Sequence, residues 1–200
     1  LRTAALQDPH MRPLTALVAQ IREDRGVEHE VPFFDPRDGG SHARVLFLLE
    51  APGPQAVRTG FISRDNPDPT ARNLRQLLAP LPRHETVLWN IIPWYVGTRQ
   101  RIAPVGRADR EGSRPYLVHL IRLLPAMVTV VLVGETAQQA REDLAKIWSG
   151  PIVEMCHPSN RVFNRWPARR GESEARIRSL AEALAAGWQS TPDEVDERSD

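Results

Sequence analysis

The sequence predicts an α/β fold, a three-layer α/β/α sandwich with a central, mostly parallel, four-stranded sheet. Four short apolar runs alternate with longer segments in which apolar residues recur every three or four positions. Such runs are typical of strands buried on both faces, and such spacing is typical of helices with one apolar side. Strands that alternate with helices form a parallel sheet covered by helices. A chain of 200 residues can bury a sizeable core, so we expect one domain, residues 1–200.

Residues that cannot continue a strand or a helix set the bounds of the predicted elements. Pro52 ends the first strand, Pro93 follows the second and Gly134 ends the third, because proline and glycine interrupt regular hydrogen bonding. The predicted strands are residues 44–50, 86–90, 128–133 and 151–155. The predicted helices are a segment from residue 14 to about 26, and residues 70–78, 107–124 (kinked or divided at Pro115), 136–147 and 172–186. The predicted irregular segments are a loose arm over residues 1–13, loops over 31–41 and 159–170, and an acidic, flexible tail over 189–200.

The composition excludes several classes of protein. The longest apolar run, residues 128–133, is far too short to cross a bilayer. The single Cys156 cannot form an internal disulfide, a four-cysteine zinc site or an iron–sulfur cluster. The six histidines show no metal-ligand spacing. We therefore expect a protein of the reducing cytoplasm with a pocket that holds no metal.

The net charge of +1 hides an uneven distribution of charge along the chain. Of the 26 basic residues, 25 are arginine and only Lys146 is lysine. Residues 161–170 contain four arginines and no acid, whereas residues 192–200 contain five acids. Because a guanidinium binds two phosphate oxygens at once, this distribution favours a basic, phosphate-binding face. A GC-rich genome that prefers arginine codons is the alternative explanation.

Polar side chains follow three of the four predicted strands. Glu50, Asn90 and His157 each stand at or just after a strand end. The carboxyl ends of parallel strands lie at one edge of the sheet, where ligands bind, so we expect these three side chains to converge. The sequence contains no phosphate-binding loop of the G-x-x-x-x-G-K or G-x-G-x-x-G type, and no G-x-S-x-G nucleophile motif.

Two short motifs stand at the ends of the first and last strands, Glu50-Ala51-Pro52-Gly53 and His157-Pro158-Ser159. They resemble the first motif, G-E-A-P-G with Leu49 in place of the leading glycine, and the second motif, H-P-S, of the uracil-DNA glycosylase superfamily. The order and spacing of the family's motifs are retained over residues 44–170. The resemblance implies a base-excision repair enzyme that flips uracil out of DNA, hydrolyses its N-glycosidic bond and leaves an abasic site.

The resemblance also implies roles for individual side chains around the base. Phe61, which follows Arg58-Thr59-Gly60, would stack on uracil, and Ala51 would line its pocket. Asn90 would donate to O4 and accept from N3–H. His157 would donate to O2 of the departing uracil anion. The plain alternatives are core packing for the phenylalanine, a turn or cap for the asparagine and a backbone hydrogen bond for the histidine.

A carboxylate is needed to stabilise the cationic sugar and to orient the attacking water. Glu50 is the first candidate and Asp65 is the second. The best-studied branch of the family has an aspartate where this sequence has Ala51, so Ala51 cannot act as a base. Relatives with the E-A-P-G motif often bind an iron–sulfur cluster through four cysteines. The lone Cys156 excludes that cluster, and we expect no cofactor.

The resemblance places the DNA contact on the segment that follows H-P-S and on the first motif. The residues expected to contact DNA are Pro52, Gly53, Ser159, Arg161, Val162, Phe163 and Arg165. The arginines would bind phosphates, the apolar side chains would fill the space left by the flipped base, and the others would contact phosphates through main-chain N–H groups. A solvated basic loop with its aromatic side chains turned inward is the alternative. The partner would be uracil-containing DNA, single- or double-stranded, bound by a monomer in the bacterial cytosol or nucleoid, away from any membrane.

Two other functions stay open. The first is a catalytically weak or inactive family member that binds damaged or single-stranded DNA, because Ala51 replaces the aspartate of the best-studied branch. It would bind oligonucleotides without turnover. The second is an α/β protein that binds a small molecule or nucleotide and has no role on DNA. Its function would not depend on the arginines of residues 161–170, and any DNA affinity would change little with salt.

Overall fold

Four parallel strands form the central sheet of the computed structural model, which describes residues 2–26, 30–97 and 105–187. The strands, in chain order, are β1 (Phe33–Phe34), β2 (Val45–Leu49), β3 (Phe61–Ile62), β4 (Thr86–Asn90), β5 (Thr129–Val133) and β6 (Ile152–Met155). The order in the central sheet is β4-β2-β5-β6, and every neighbouring pair is parallel. The short strands β1 and β3 form a separate parallel pair.

Helices flank this sheet, which confirms the predicted α/β/α fold class. The α-helices, in chain order, are α1 (Arg12–Arg25), α2 (Pro54–Thr59), α3 (Pro69–Leu77), α4 (Arg107–Arg122), α5 (Glu135–Gln138), α6 (Arg141–Ala145), α7 (Asn160–Arg165) and α8 (Pro167–Ala185). Short 3-10 helices occupy Ala4–Gln7, Gly40–His42 and Arg83–Glu85. No helix within the described ranges is long and apolar enough to cross a membrane.

The apolar runs of the sequence form the buried strands. The central strands β2 and β5 are buried along their length, except for the half-buried Leu49 at the end of β2. In the edge strand β6, the first three residues are half-buried and the last, Met155, is buried. A central parallel strand is covered on both faces and therefore reads as a continuous apolar run. For this reason, the predicted bounds of all four strands agree with the observed bounds to within one residue.

Residues 2–13 pack against the fold and are not the loose arm that the sequence predicts. Residues Ala4–Gln7 form a 3-10 helix, and α1 begins before the predicted arm ends. Leu6 and Met11 are buried in the core. The hydroxyl of Thr15 donates a hydrogen bond to the carbonyl of Leu6 at 3.0 Å. Burial of two apolar side chains stabilises this segment, and so short a segment shows no periodic pattern that would reveal it.

The segment over residues 159–170 is helical, although the sequence predicts a loop. It forms α7 and the first turn of α8. The hydroxyl of Ser159 accepts a hydrogen bond from the N–H of Val162 at 3.3 Å and so caps α7. Pro167 is the first residue of α8, a position where its missing N–H costs nothing. These start signals lie inside a run of arginines and apolar residues without helical spacing.

Two further segments differ from the sequence prediction. Residues 136–147, predicted as one helix, form α5 and α6, and α5 begins directly after Gly134. Residues 31–41, predicted as a loop, contain β1. A strand of two residues has no alternation that could reveal it. The predicted tail over residues 189–200 lies outside the described residues.

A cluster of buried ion pairs joins the β1–β3 pair to the sheet. Arg83, just before β4, lies 2.7 Å from Asp35, 2.9 Å from Asp38 and 2.8 Å from Asp65, measured between side-chain nitrogen and oxygen atoms. Arg64 lies 3.4 Å from Asp38. Burial raises the pKa of Asp38 to about 6, against the opposing charges of Arg64 and Arg83. At neutral pH, the free-energy cost of removing this carboxylate from water therefore exceeds the favourable interaction energy with its two arginines.

The substitution Asp38→Asn should remove one pH dependence of stability. The folded pKa of about 6 lies above the unfolded value of 3.8, so the folded protein binds more protons between these values. The contribution of Asp38 to the free energy of unfolding therefore falls as pH rises through this range, by about 3 kcal/mol in total. Urea unfolding at about pH 4 and about pH 7, which cover most of this range, should show that the wild type loses roughly 2 kcal/mol more than the variant. Equal losses would contradict the account.

Candidate active site

The carboxyl edge of the central sheet carries a cavity of about 440 Å³. Glu50 directly follows β2, Asn90 ends β4 and His157 lies two residues after β6, and all three line this cavity. The parallel direction of the strands brings these three ends together, so the convergence predicted from the strand ends is confirmed.

The backbone fixes Glu50 and Asn90 side by side. Leu49 and Asn90 are partners in the register between β2 and β4. Beyond the last pair, the N–H of Ile91 donates to the carbonyl of Leu49 at 2.8 Å, and the N–H of Ile92 donates to the carbonyl of Glu50 at 2.9 Å. The ladder of hydrogen bonds therefore continues past the strand ends and holds both site residues at a fixed separation.

Asn90 is the most unusual polar group in the cavity wall. Its residue is only 4% exposed, and its amide nitrogen is buried without a hydrogen-bond partner among the described residues. A buried donor without a partner costs free energy comparable to a lost hydrogen bond. In a cavity wall, such a donor is suited to a ligand that brings an acceptor.

His157 owes its position to its backbone and to a close contact with Gly134. A Cβ atom at residue 134 would lie 3.0 Å from the Cβ of His157, and the φ of Gly134 is +89°, so both the space and the conformation require glycine. No described residue forms a hydrogen bond with the His157 ring. Burial lowers the pKa of His157 below 6.5, against the opposing charges of Glu50 and Asp68. At neutral pH the ring is uncharged and has one N–H to donate.

The other walls come from the first motif and from the start of α3. Ala51, Pro52 and Gly53 line the cavity beside the strand ends. Asp68 also lines it and accepts a hydrogen bond from the N–H of Ala71 at 2.9 Å, which caps α3. Tyr95 lines the cavity as well. Sequence patterns did not single out Asp68 or Tyr95, although an aspartate before a proline is a recognisable helix start.

Phe61 does not line the cavity, but its neighbour Ile62 does. The ring of Phe61 lies 4.2 Å from the guanidinium carbon of Arg2, measured at the ring centroid, and 6.4 Å from the ring of Phe33. Successive side chains of a strand point to opposite sides. In β3 the inward side belongs to Ile62, so the structure does not bring Phe61 together with Asn90 and His157.

Asp65 also lies outside the cavity lining. Its carboxylate is paired with Arg83 at 2.8 Å, with Arg37 at 3.1 Å and with Arg75 at 3.9 Å. Burial would raise the pKa of Asp65, but the hydrogen bonds and charges of Arg83 and Arg37 lower it overall. Of the two carboxylates singled out in the sequence, only Glu50 stands in the cavity wall.

The aromatic side chain exposed at the end of α7 is not the one predicted for DNA contact. Phe163 is only 7% exposed, whereas Trp166, directly after α7, is 41% exposed. The guanidinium of Arg165 lies 4.9 Å from the Trp166 ring centroid. Neither Arg161 nor Arg165 has a carboxylate partner within the described ranges. The exposed surface formed by Arg161, Arg165 and Trp166, which we call the α7 surface, therefore combines free positive charge with an aromatic face.

The neighbouring arginines of the basic segment are paired with carboxylates at the surface. Arg169 lies 3.2 Å from Glu135, and Arg170 lies 2.8 Å from Glu174. Arg170 also lies over the buried ring of Phe163, at 5.2 Å from its centroid. The four arginines that look alike in sequence therefore divide into two that are paired with acids and two that are available to a ligand.

The chain belongs to the uracil DNA glycosylase superfamily, because residues 36–183 match the model of that family. The solution NMR structure of a candidate uracil DNA glycosylase from Methanosarcina acetivorans is similar, with 15% identity, a TM-score of 0.46, and coverage of 70% of this chain and 92% of that chain. No sequence among curated proteins matches the chain. The family assignment depends on the sequence match alone.

The substitution Glu50→Gln should lower the pKa of His157 further. The negative charge of Glu50 favours the protonated ring, so its removal leaves burial less opposed. An NMR titration of the ring should give a midpoint below 6.5 in the wild type and a lower midpoint in Glu50→Gln. Glu174→Gln, which removes a carboxylate paired with Arg170, should leave the midpoint unchanged. A wild-type midpoint above 6.5, or equal midpoints in the first two proteins, would contradict this account.

Proposed function

We propose that this protein is a DNA repair glycosylase that takes a flipped uracil into the 440 Å³ cavity and hydrolyses its N-glycosidic bond, leaving an abasic site. The observation that carries the proposal is the buried Asn90 amide in the cavity wall, which has no partner among the described residues. Membership of the uracil DNA glycosylase superfamily supports the same reaction.

Asn90 would select uracil over cytosine. Its amide N–H donates to O4 of uracil, and its carbonyl oxygen accepts from N3–H. Cytosine has an amino group in place of O4 and no hydrogen on N3, so both hydrogen bonds are lost and a donor faces a donor. A buried polar group left unpaired by the wrong base is an effective basis for selection.

His157 and Glu50 would stabilise the separating charges. The bond between C1′ of the sugar and N1 of uracil breaks, its electron pair passes to uracil, and negative charge develops at O2 while the sugar becomes cationic. The neutral His157 ring donates its N–H to O2. The Glu50 carboxylate stabilises the cation and orients a water molecule, whose hydroxyl joins C1′ and whose proton finally resides on uracil.

Tyr95 is our candidate for the ring that faces the base. The family resemblance assigns stacking to Phe61, but Phe61 lies outside the cavity lining, whereas Tyr95 and Ile62 belong to it. Phe61 would then act indirectly, through its contacts with Arg2 and Phe33 beneath this wall. Ala51, beside Glu50, would lie against the base as well.

DNA would contact the α7 surface and the adjoining main chain. Arg161 and Arg165 would bind phosphates, and Trp166 would stack on an unpaired base or fill the space that the flipped base leaves. The main chain around Pro52, Gly53 and Ser159 would contact phosphates near the cavity entrance. Val162 and Phe163 would support this surface from within, because they are half-buried and buried, respectively.

A protein that binds damaged or single-stranded DNA without turnover is the second candidate. The observation in its favour is Ala51, which stands where the best-studied branch of the family has an aspartate. Tight binding of a uracil-containing oligonucleotide, without formation of an abasic site, would select this candidate over the first.

Uracil release is the direct test of the proposed function. A uracil-containing oligonucleotide incubated with the protein and then treated with alkali should be cut at the uracil, and a thymine-containing control should stay intact. His157→Ala and Asn90→Ala should each lower the single-turnover rate by about 10²- to 10³-fold, since each removes a donor to the leaving base. Circular dichroism of the variants checks that they are folded. An uncut uracil oligonucleotide with wild-type protein would refute the proposal.

The two available arginines should dominate the salt dependence of DNA binding. Replacing Arg161 and Arg165 together by alanine removes two phosphate contacts. The slope of log binding constant against log salt concentration for single-stranded DNA should then become shallower by about 1.4. The matched control is Arg169→Ala with Arg170→Ala, which removes the same charge from arginines paired with Glu135 and Glu174. Equal changes in slope for the two double variants would contradict this assignment.

A further inference from the structure

The side chain of Asn73, on α3, connects the turn that carries His157 with the start of α7. Its amide nitrogen donates a hydrogen bond to the carbonyl of Pro158 at 2.8 Å and another to the side-chain oxygen of Asn160 at 2.9 Å. Pro158 directly follows His157, and Asn160 is the first residue of α7. The same helix lines the cavity with its other residues, among them Ala71 and Leu74.

The His157 side chain depends on its backbone because nothing described bonds to its ring. Contacts on two sides hold that backbone turn, and the N–H of Cys156 also donates to the hydroxyl of Ser173 at 3.2 Å. On the sheet side, the N–H of Gly134 donates to the carbonyl of Met155 at 2.9 Å, and Gly134 packs against His157. On the helix side, the Asn73 amide holds Pro158. A turn fixed on both sides places the ring without a hydrogen bond that would compete with the substrate.

We propose that Asn73 is a positioning residue that orients His157 for the departing base and ties this turn to the start of α7. The proposal rests on the proposed function, since it assigns Asn73 a part in that reaction. Both N–H groups of one amide are used, one on the histidine turn and one on the helix that carries the α7 surface. DNA contact at α7 and placement of His157 are therefore joined through a single side chain.

The substitution Asn73→Asp tests this role with almost no change of size. It replaces the two donors by a carboxylate that faces two oxygens, so the turn should move away from α3. A displacement of a reacting group by about 1 Å can lower a rate by about 10²-fold. We expect a 10- to 100-fold lower single-turnover rate of uracil release.

A double-variant comparison separates positioning from general structural support. In a His157→Ala background, Asn73→Asp should lower the remaining rate less than twofold, because the group that it positions is absent. Gln76→Glu is the matched control, since it makes the same amide-to-carboxylate change on the exposed side of α3 without a side-chain hydrogen bond to a described residue. It should leave the wild-type rate unchanged. An equal loss in both backgrounds, or no loss in Asn73→Asp alone, would overturn the proposal.

The NMR signals of the His157 ring provide a second readout that does not depend on activity. They should shift in Asn73→Asp and stay in place in Gln76→Glu. Unshifted signals in Asn73→Asp would overturn the positioning role. If wild-type protein releases no uracil, the proposed function fails, and a shifted His157 ring would still show that Asn73 orients the turn.

Discussion

The parallel pairing of β4, β2, β5 and β6 is the constraint on which the site depends. It directs every strand end to one edge, where Asn90, Glu50 and His157 line a single cavity. The buried apolar residues of these strands supply the favourable free energy that offsets the cost of an unpartnered Asn90 amide. Gly134, at the end of β5, completes the edge because its missing Cβ leaves room for His157. Groups at or just after the ends of paired strands are held at more fixed separations than groups within a long loop.

The outer wall of the cavity depends on polar contacts as well as on the core. Ile62 and Ser63 line the cavity, and the hydroxyl of Ser63 donates to the buried carboxylate of Asp35 at 2.6 Å. Arg83 binds that same carboxylate beside the start of β4. The ion cluster thus ties the β1–β3 pair, whose Ile62 belongs to this wall, to the sheet that carries the polar strand ends. Its cost at neutral pH, which appears in the raised pKa of Asp38, is consistent with a role in holding a defined geometry.

The strand ends could be predicted from sequence, whereas the placement of several side chains could not. Apolar runs ended by proline or glycine located Glu50, Asn90 and His157. The two residues of β3 offered no alternation to show that Ile62 and not Phe61 faces the cavity. The segment predicted as a loop is helical because Ser159 caps α7 and Pro167 begins α8. In this segment Phe163 is buried and Trp166 is exposed. The hydrogen bond from Asn73 to Pro158 joins residues 85 positions apart, and no local pattern records a contact of that kind.

The central claim is that the Asn90 amide reads the edge of uracil. Its side-chain ¹⁵N–¹H signals, assigned by their loss in Asn90→Ala, can be followed while free uracil or cytosine is added. Uracil supplies the missing acceptor, so its addition should move these signals in the direction of a stronger hydrogen bond and slow their exchange with water, while cytosine at the same concentration should leave them in place. Equal shifts with both bases, or no shift with uracil at concentrations that saturate other cavity signals, would contradict the claim.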